Sequence, residues 1–178
     1  SYLFALCRTF NQDINNWDVS KVTKMREMFN QAWVFNGSIG NWNVSNVETM
    51  EGMFFHALAF NQDISNWDTG SVTNMFRMFN DAESFDQNLG AWDIGNVTTM
   101  VQMFFDAELS TNNYDATLIG WATDSSLNPG DGIDDIPTSI TFDGGNSNYC
   151  NGEAARALLI AAGPAPTGYD WIIADGGK

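Results

Sequence analysis

Carboxylates dominate the chemistry this sequence can offer: 22 Asp and Glu stand against seven Lys and Arg and one His, a formal net charge of -15. Two carboxyl groups can cleave a glycosidic bond when a special pocket holds one of them protonated. Here the acids instead recur at regular intervals, as in Asp13 and Asp63, or Asp18, Asp68 and Asp93. That is the pattern of an open repeating surface, and no enzyme is expected. His56 shares its place with Gln31, Asp81 and Asp106, a variable helix position expected to be exposed and a poor setting for a general base. Phosphate-cradling glycine loops and nucleophile motifs are absent from the sequence. Asp131, Asp134, Asp135 and Asp143 crowd a Gly-rich stretch around the loop 124–137, and hard oxygen donors suit calcium. Their spacing matches no EF-hand loop, and a solvated acidic loop accounts for them. One histidine and two distant cysteines supply no zinc site. Neither a metal nor a cofactor is expected.

The better candidates are binding residues. Three polar columns repeat: Gln12, Gln62 and Gln87; Asp13, Asp63 and Asn88; Asn16, Asn41 and Asn66. Each either meets a ligand on an extended surface or, as Asn and Asp readily do, caps turns and forms ladders between neighbouring units. Residue type favours turns and ladders. For the column Asp18, Asn43, Asp68 and Asp93, turn formation is a sufficient explanation. Four aromatics, Trp33, Phe55, Phe76 and Phe105, replace polar residues of other units and either form an apolar contact patch or pack into grooves.

These columns exist because the chain repeats every 25 residues. Trp17, Trp42, Trp67 and Trp92 keep register, as do Phe10, Phe35, Phe60 and Phe85. All eight methionines fall into two columns, Met25, Met50, Met75, Met100 and Met28, Met53, Met78, Met103. A period of this size signals a stacked array in which each unit shelters the next. Within a unit, Val22, Met25, Met28, Phe29 and Ala32 have the spacing of one helical face, so a short helix is predicted. Ser45 and Glu48 have the spacing of its capping box. The preceding segment, for example 60–67, reads as a short strand. The fold class expected is an α/β solenoid, a leucine-rich-repeat-like stack of short strand plus helix coils with a C-terminal α/β cap.

The consensus W-D-V-S-x-V-T-x-M-x-x-M-F-x-x-A-x-x-F-N-x-D-I, carried at Trp17 to Ile39 and with substitutions at Trp67 to Leu89, resembles the repeats of BspA-like surface proteins. The likeness covers about residues 3 to 107, including a partial first unit in which Leu3, Phe4, Cys7 and Phe10 fill the Met, Phe, Ala and Phe columns. The resemblance implies a bacterial protein of the cell surface or extracellular space, associated with adhesion and with protein or host contact, and brings no enzymatic activity. Unit two departs from the pattern at Gly37, Ser38, Gly40 and Asn43, so a ligand spanning those columns would be held unevenly.

After Ala107 the period fails. A helix through Tyr114, Leu118 and Trp121, a strand at 139–142, a helix at 152–162 and a last strand at 171–174 are predicted. The division expected is a repeat region, 1–107, and a capping region, 108–178. Cys7 and Cys150 lie at opposite ends of the stack, too far apart to pair, and Cys7, in an alanine column, is expected to be buried. The acidic balance makes nucleic acid a poor partner, and no stretch is long and apolar enough to span a bilayer. Expected partners are an extracellular protein or glycan, with self-association through the uncapped first unit. The leading function is a secreted or surface interaction module. Its alternative is a structural spacer in a long surface fibre with no ligand of its own.

Overall fold

The computed structural model describes residues 2–123, 136–163 and 167–178. Among them lie two helices, α1 (Thr111–Ala122) and α2 (Glu153–Ile160), and two strands, β1 (Thr141–Asp143) and β2 (Ile172–Ala174), paired parallel. All four follow Ala107. The expected solenoid of strand plus helix coils is therefore overturned: the described repeat units hold neither a helix nor a strand, only turns and isolated bridges. The leucine-rich-repeat architecture goes with it.

Backbone geometry explains why the apolar spacing does not become a helix. Two positions in each unit have left-handed φ: Tyr2, Glu27, Gly52, Arg77 and Gln102 in one column, and Leu6, Gln31, His56, Asp81 and Asp106 in the other, at +52° to +63°. A right-handed helix cannot pass through such residues. The chain instead makes two successive turns, Met28 N–H to Met25 C=O and Ala32 N–H to Phe29 C=O, repeated at Met53 and Ala57 and at Met78 and Ala82. Each turn has its left-handed residue in third place, the type II arrangement.

This geometry aims alternate amides along the stack. Met25, Glu27, Phe29 and Gln31 donate to the carbonyls of Thr49, Glu51, Met53 and Phe55, at 2.7 to 2.9 Å. The next unit repeats the four bonds to Asn74, Phe76, Met78 and Asn80. Parallel bridges Lys24↔Thr49, Thr49↔Asn74 and Asn74↔Thr99 start the same ladder. The backbone ladder thus runs where the helix was expected. In the segment expected to be a strand, side chains make the connection: Asn11, Asn36, Asn61 and Asp86 each accept, through Oδ1, the amide of Asn36, Asn61, Asp86 and Ser110 in turn. Ser45 does not join Glu48 in a capping box; its amide and hydroxyl both bond Asn43 Oδ1.

Side-chain columns fill the interior. Phe29, Phe54, Phe79 and Phe104 stack with centroids 5.5, 5.5 and 5.3 Å apart, and a second file runs through Phe35, Phe60 and Phe85. All eight methionines are buried. Each buried indole of the repeat units satisfies its N–H on a carbonyl of the preceding unit: Trp42 on Ile14, Trp67 on Ile39, Trp92 on Ile64. Trp121 of α1 does the same to Leu89, so the helix enters as one more layer. It can approach because Gly120 packs on Gly90, where a Cβ would fall 2.2 Å from the Gly90 oxygen.

The ladder ends in residues 139–178. Phe104 donates to Asp143, and Gly144 to Ala174, so β1 and β2 form the last two rungs. Phe142 sets its ring edge-on to Phe104 and Trp121. Two polar knots hold this region. Asp115, buried in α1, accepts the amides of Cys150, Asn151 and Gly152 at the start of α2, where the helix dipole also favours a carboxylate. Asp175 takes Arg156 Nε at 2.8 Å and the Tyr114 hydroxyl at 2.8 Å. Burial first, then Asp175, pushes the Tyr114 phenol far above its usual range, so it remains a donor. At the other end the first unit is open: Leu3, Leu6 and Trp17 are exposed. Cys7, in the same open unit, is exposed too, contrary to the burial expected for it.

Two stability outcomes follow. Asp106 is exposed at φ +56°, so Asp106→Gly relieves left-handed strain and should raise the unfolding free energy by about 0.5–1 kcal/mol, read from the urea midpoint. A loss of stability would contradict the turn assignment. Asp175→Ala leaves Arg156 and Tyr114 without their shared acceptor and should cost about 3 kcal/mol, whereas a change within ~0.5 kcal/mol would deny the knot its role.

Candidate functional site

Most of the polar columns singled out from the sequence are occupied by structure. Asp13, Asp63 and Asn88 each accept, through Oδ1, the amide two residues on, from Asn15, Ser65 and Gly90. Gln62 Nε2 reaches Asn36 Oδ1 at 3.1 Å, and Gln87 Nε2 reaches Asn61 Oδ1 at 2.7 Å, so both brace the asparagine ladder. Gln12 is exposed in the first unit. Asn16, Asn41 and Asn66 are exposed in turns, and the Asn41 amide donates to Asn15 Oδ1 of the preceding unit at 2.8 Å. Asp18, Asn43, Asp68 and Asp93 also close turns on the amide two residues on. Ser65 and Ser20 hold the Asp63 and Asp18 carboxyls below their ordinary range by hydrogen bonds to the charged form.

The structure brings together a different set of residues, on the turn ladder. Column 27, 52, 77 carries Glu27, Gly52 and Arg77, and the missing side chain at Gly52 opens a depression of about 370 Å³ between its neighbours. Phe55 and Phe76 contribute aromatic rings to its lining, Arg26 and Glu51 an ion pair at 3.0 Å, and Asn30 an amide. Glu27 is heavily engaged: it accepts from Asn30 Nδ2 at 2.7 Å and from the Tyr2 hydroxyl at 3.2 Å, with Arg26 Nε 3.5 Å away. Arg77 lies 4.8 Å over the Phe76 ring and donates Nε to Gln102 at 2.6 Å. Among the described residues no carboxylate comes within ion-pair distance of Arg77. Asn30 Oδ1 is buried and has no hydrogen-bond partner.

The off-pattern aromatics divide. Phe55 and Phe76 line the depression, whereas Trp33 and Phe105 are 38% and 41% exposed, with Arg8 4.0 Å over the Trp33 ring. Sequence reasoning named these aromatics without joining them to Gly52, although the glycine stands out in a column of Glu, Arg and Gln. His56 sits 3.2 Å from Asp81, its counterpart in the next unit. The calcium question at Asp131, Asp134 and Asp135 falls outside the described residues. Among those described, no three His, Cys, Asp or Glu gather to hold a metal.

A family model described as Mycoplasma protein of unknown function, DUF285, matches residues 1–117. The match is consistent with a bacterial surface repeat protein and does not identify the BspA-like kind. Comparison with curated proteins and with solved structures finds no match. No described helix is long and apolar enough to cross a membrane.

A carboxyl whose pKa is lowered by folding stabilises above its unfolded value and loses that contribution as pH falls through the folded one. Asp63→Asn keeps the acceptor without titrating, so between about pH 6 and pH 3 it should lose less stability than wild type. Equal losses, followed by urea unfolding at each pH, would show that the Asp63 turn does not respond to acid.

Proposed function

We propose that this chain, which belongs to the Mycoplasma family matched over more than half its length, is a non-enzymatic interaction module of the bacterial cell surface or extracellular space that binds a protein or glycan. One observation carries the reading. The stack uses many of its regularly repeated polar side chains in turns and ladders, yet it leaves two irregular aromatics, Trp33 and Phe105, exposed, with Arg8 4.0 Å over the Trp33 ring. A structural role does not require large apolar groups in water, and such groups mark contact surfaces. Asp18, Asp63 and Asp93 cap turn amides, so these recurring carboxylates have structural work and need no reaction to account for them.

A second reading, a spacer that associates end to end, is supported by the apolar face of the first unit, where Tyr2, Leu3, Leu6 and Trp17 are 47 to 61% exposed. Light scattering across a concentration series separates the two. The module reading expects a monomer that binds members of a glycan or extracellular-protein array, with binding reduced about tenfold by Trp33→Ala combined with Phe105→Ala. The spacer reading expects concentration-dependent growth abolished by Leu6→Asp, and an empty array. Growth with no array binding would overturn the module.

A further inference from the structure

We infer that the depression at Gly52 is a binding site for a neutral sugar residue, which deepens the interaction-module reading and rests on it. The lining has the chemistry for this. Two arginines and two glutamates, Arg26, Arg77, Glu27 and Glu51, sum to no net charge, on a chain whose formal charge is -15. An electrically balanced hollow offers no excess local charge to hold a free ion, and the acidic surface around it repels anions. It suits a ligand that is uncharged and rich in both donors and acceptors.

The polar groups that remain unused are complementary to hydroxyls. Arg77 spends Nε on Gln102 and keeps its two terminal nitrogens clear of any described carboxylate, so they can donate as a planar fork to adjacent oxygens. Glu51 uses Oε1 on Arg26 and has Oε2 to spare. Phe55 and Phe76 add rings whose negative faces attract the positively polarised C–H bonds on one side of a pyranose. The volume of about 370 Å³ lies within the range of small-ligand sites.

Repetition explains how the hollow arises once. At the Gly52 position the neighbouring units carry Glu27, Arg77 and Gln102, all in the same left-handed conformation. Any of those side chains at 52 would fill the space. At the Phe76 position the next unit has Val101, and at the Phe55 position the units on either side have Asn30 and Asn80. The site therefore depends on three departures from the repeat, clustered on units two and three.

The same repetition supplies variants that the fold already accommodates. Gly52→Gln places in the hollow the side chain that position 102 bears, and Phe76→Val copies position 101. Purified protein is titrated with glucose, galactose, N-acetylglucosamine and their disaccharides by calorimetry and saturation-transfer NMR, with free phenylalanine and glucuronate as zwitterionic and anionic controls. Circular dichroism and urea midpoints confirm that the variants fold. The expected result is binding of at least one neutral sugar, weakened at least about tenfold by each variant and not matched by the controls. Sugar binding that both variants leave intact would overturn this site while sparing the module. Binding of phenylalanine or glucuronate in preference would overturn the neutral class. No binding by any sugar overturns the inference, and array binding to a protein would then still leave the broader reading standing.

Discussion

The structure depends on a bond from an amide in one unit to a carbonyl 24 residues later, made possible by residues with left-handed φ. Met25, Glu27, Phe29 and Gln31 show the alternation: every second amide points along the stack, while the amides between them close turns within the unit. Left-handed backbone costs an ordinary L-residue roughly 1–2 kcal/mol. Nine of the ten residues in the two columns are not glycine, so the unit is poorly stable in isolation and the conformation persists only because neighbours bond it. Stacking is a condition of folding here, and the cap, with its own amides at Gly144 and Gly176 continuing the rungs, ends the series.

Bonds between units run in both directions. The turn amides donate forward, from 27 to 51, but the amides of Glu48 and Thr73 donate backward, to Thr23 and Glu48, as do the indoles, from Trp42 to Ile14 and from Trp67 to Ile39, and the asparagine ladder from Asn61 N–H to Asn36. Each interior unit is thereby held by both neighbours through donors and acceptors of its own. Sliding a unit would break both sets at once and bring a phenylalanine against a methionine layer. This fixes the register more firmly than apolar packing alone, which is non-directional.

Much of this was legible as columns and little of it as local structure. Trp42, Phe54 and Met53 occupy the interior that their periodicity required. The helix predicted from Val22 to Ala32 failed because a 3, 3, 1, 3 spacing of apolar residues also fits two consecutive turns, and the side chains at the decisive positions, Glu27, Gln31 and Arg77, carry no preference for left-handed backbone. Gly52 was the one strong local signal among them. The strand failed for a related reason: Asn36 and Asn61 connect the units there through side chains, which leaves no backbone ladder for a strand to be part of. After Ala107, where helices obey ordinary rules, α1 and α2 lie close to the helices predicted through Tyr114, Leu118 and Trp121 and at 152–162.

In the candidate site, regularity alone does not single out binding residues. Recurrence is what a turn or a ladder needs: each unit has the same amides to satisfy, so each supplies the same acceptor, as Asp13, Asp63 and Asn88 do. A ligand imposes no such period unless it repeats with the protein. A compact ligand meets one place, and the residues that serve it must differ from their equivalents one unit away. Gly52, Phe55 and Phe76 differ in that way, and the structure shows them around one hollow. In a stack of near-identical units, the side chains that keep the pattern account for the fold, and those that break it without breaking the ladder are the ones left over for recognition.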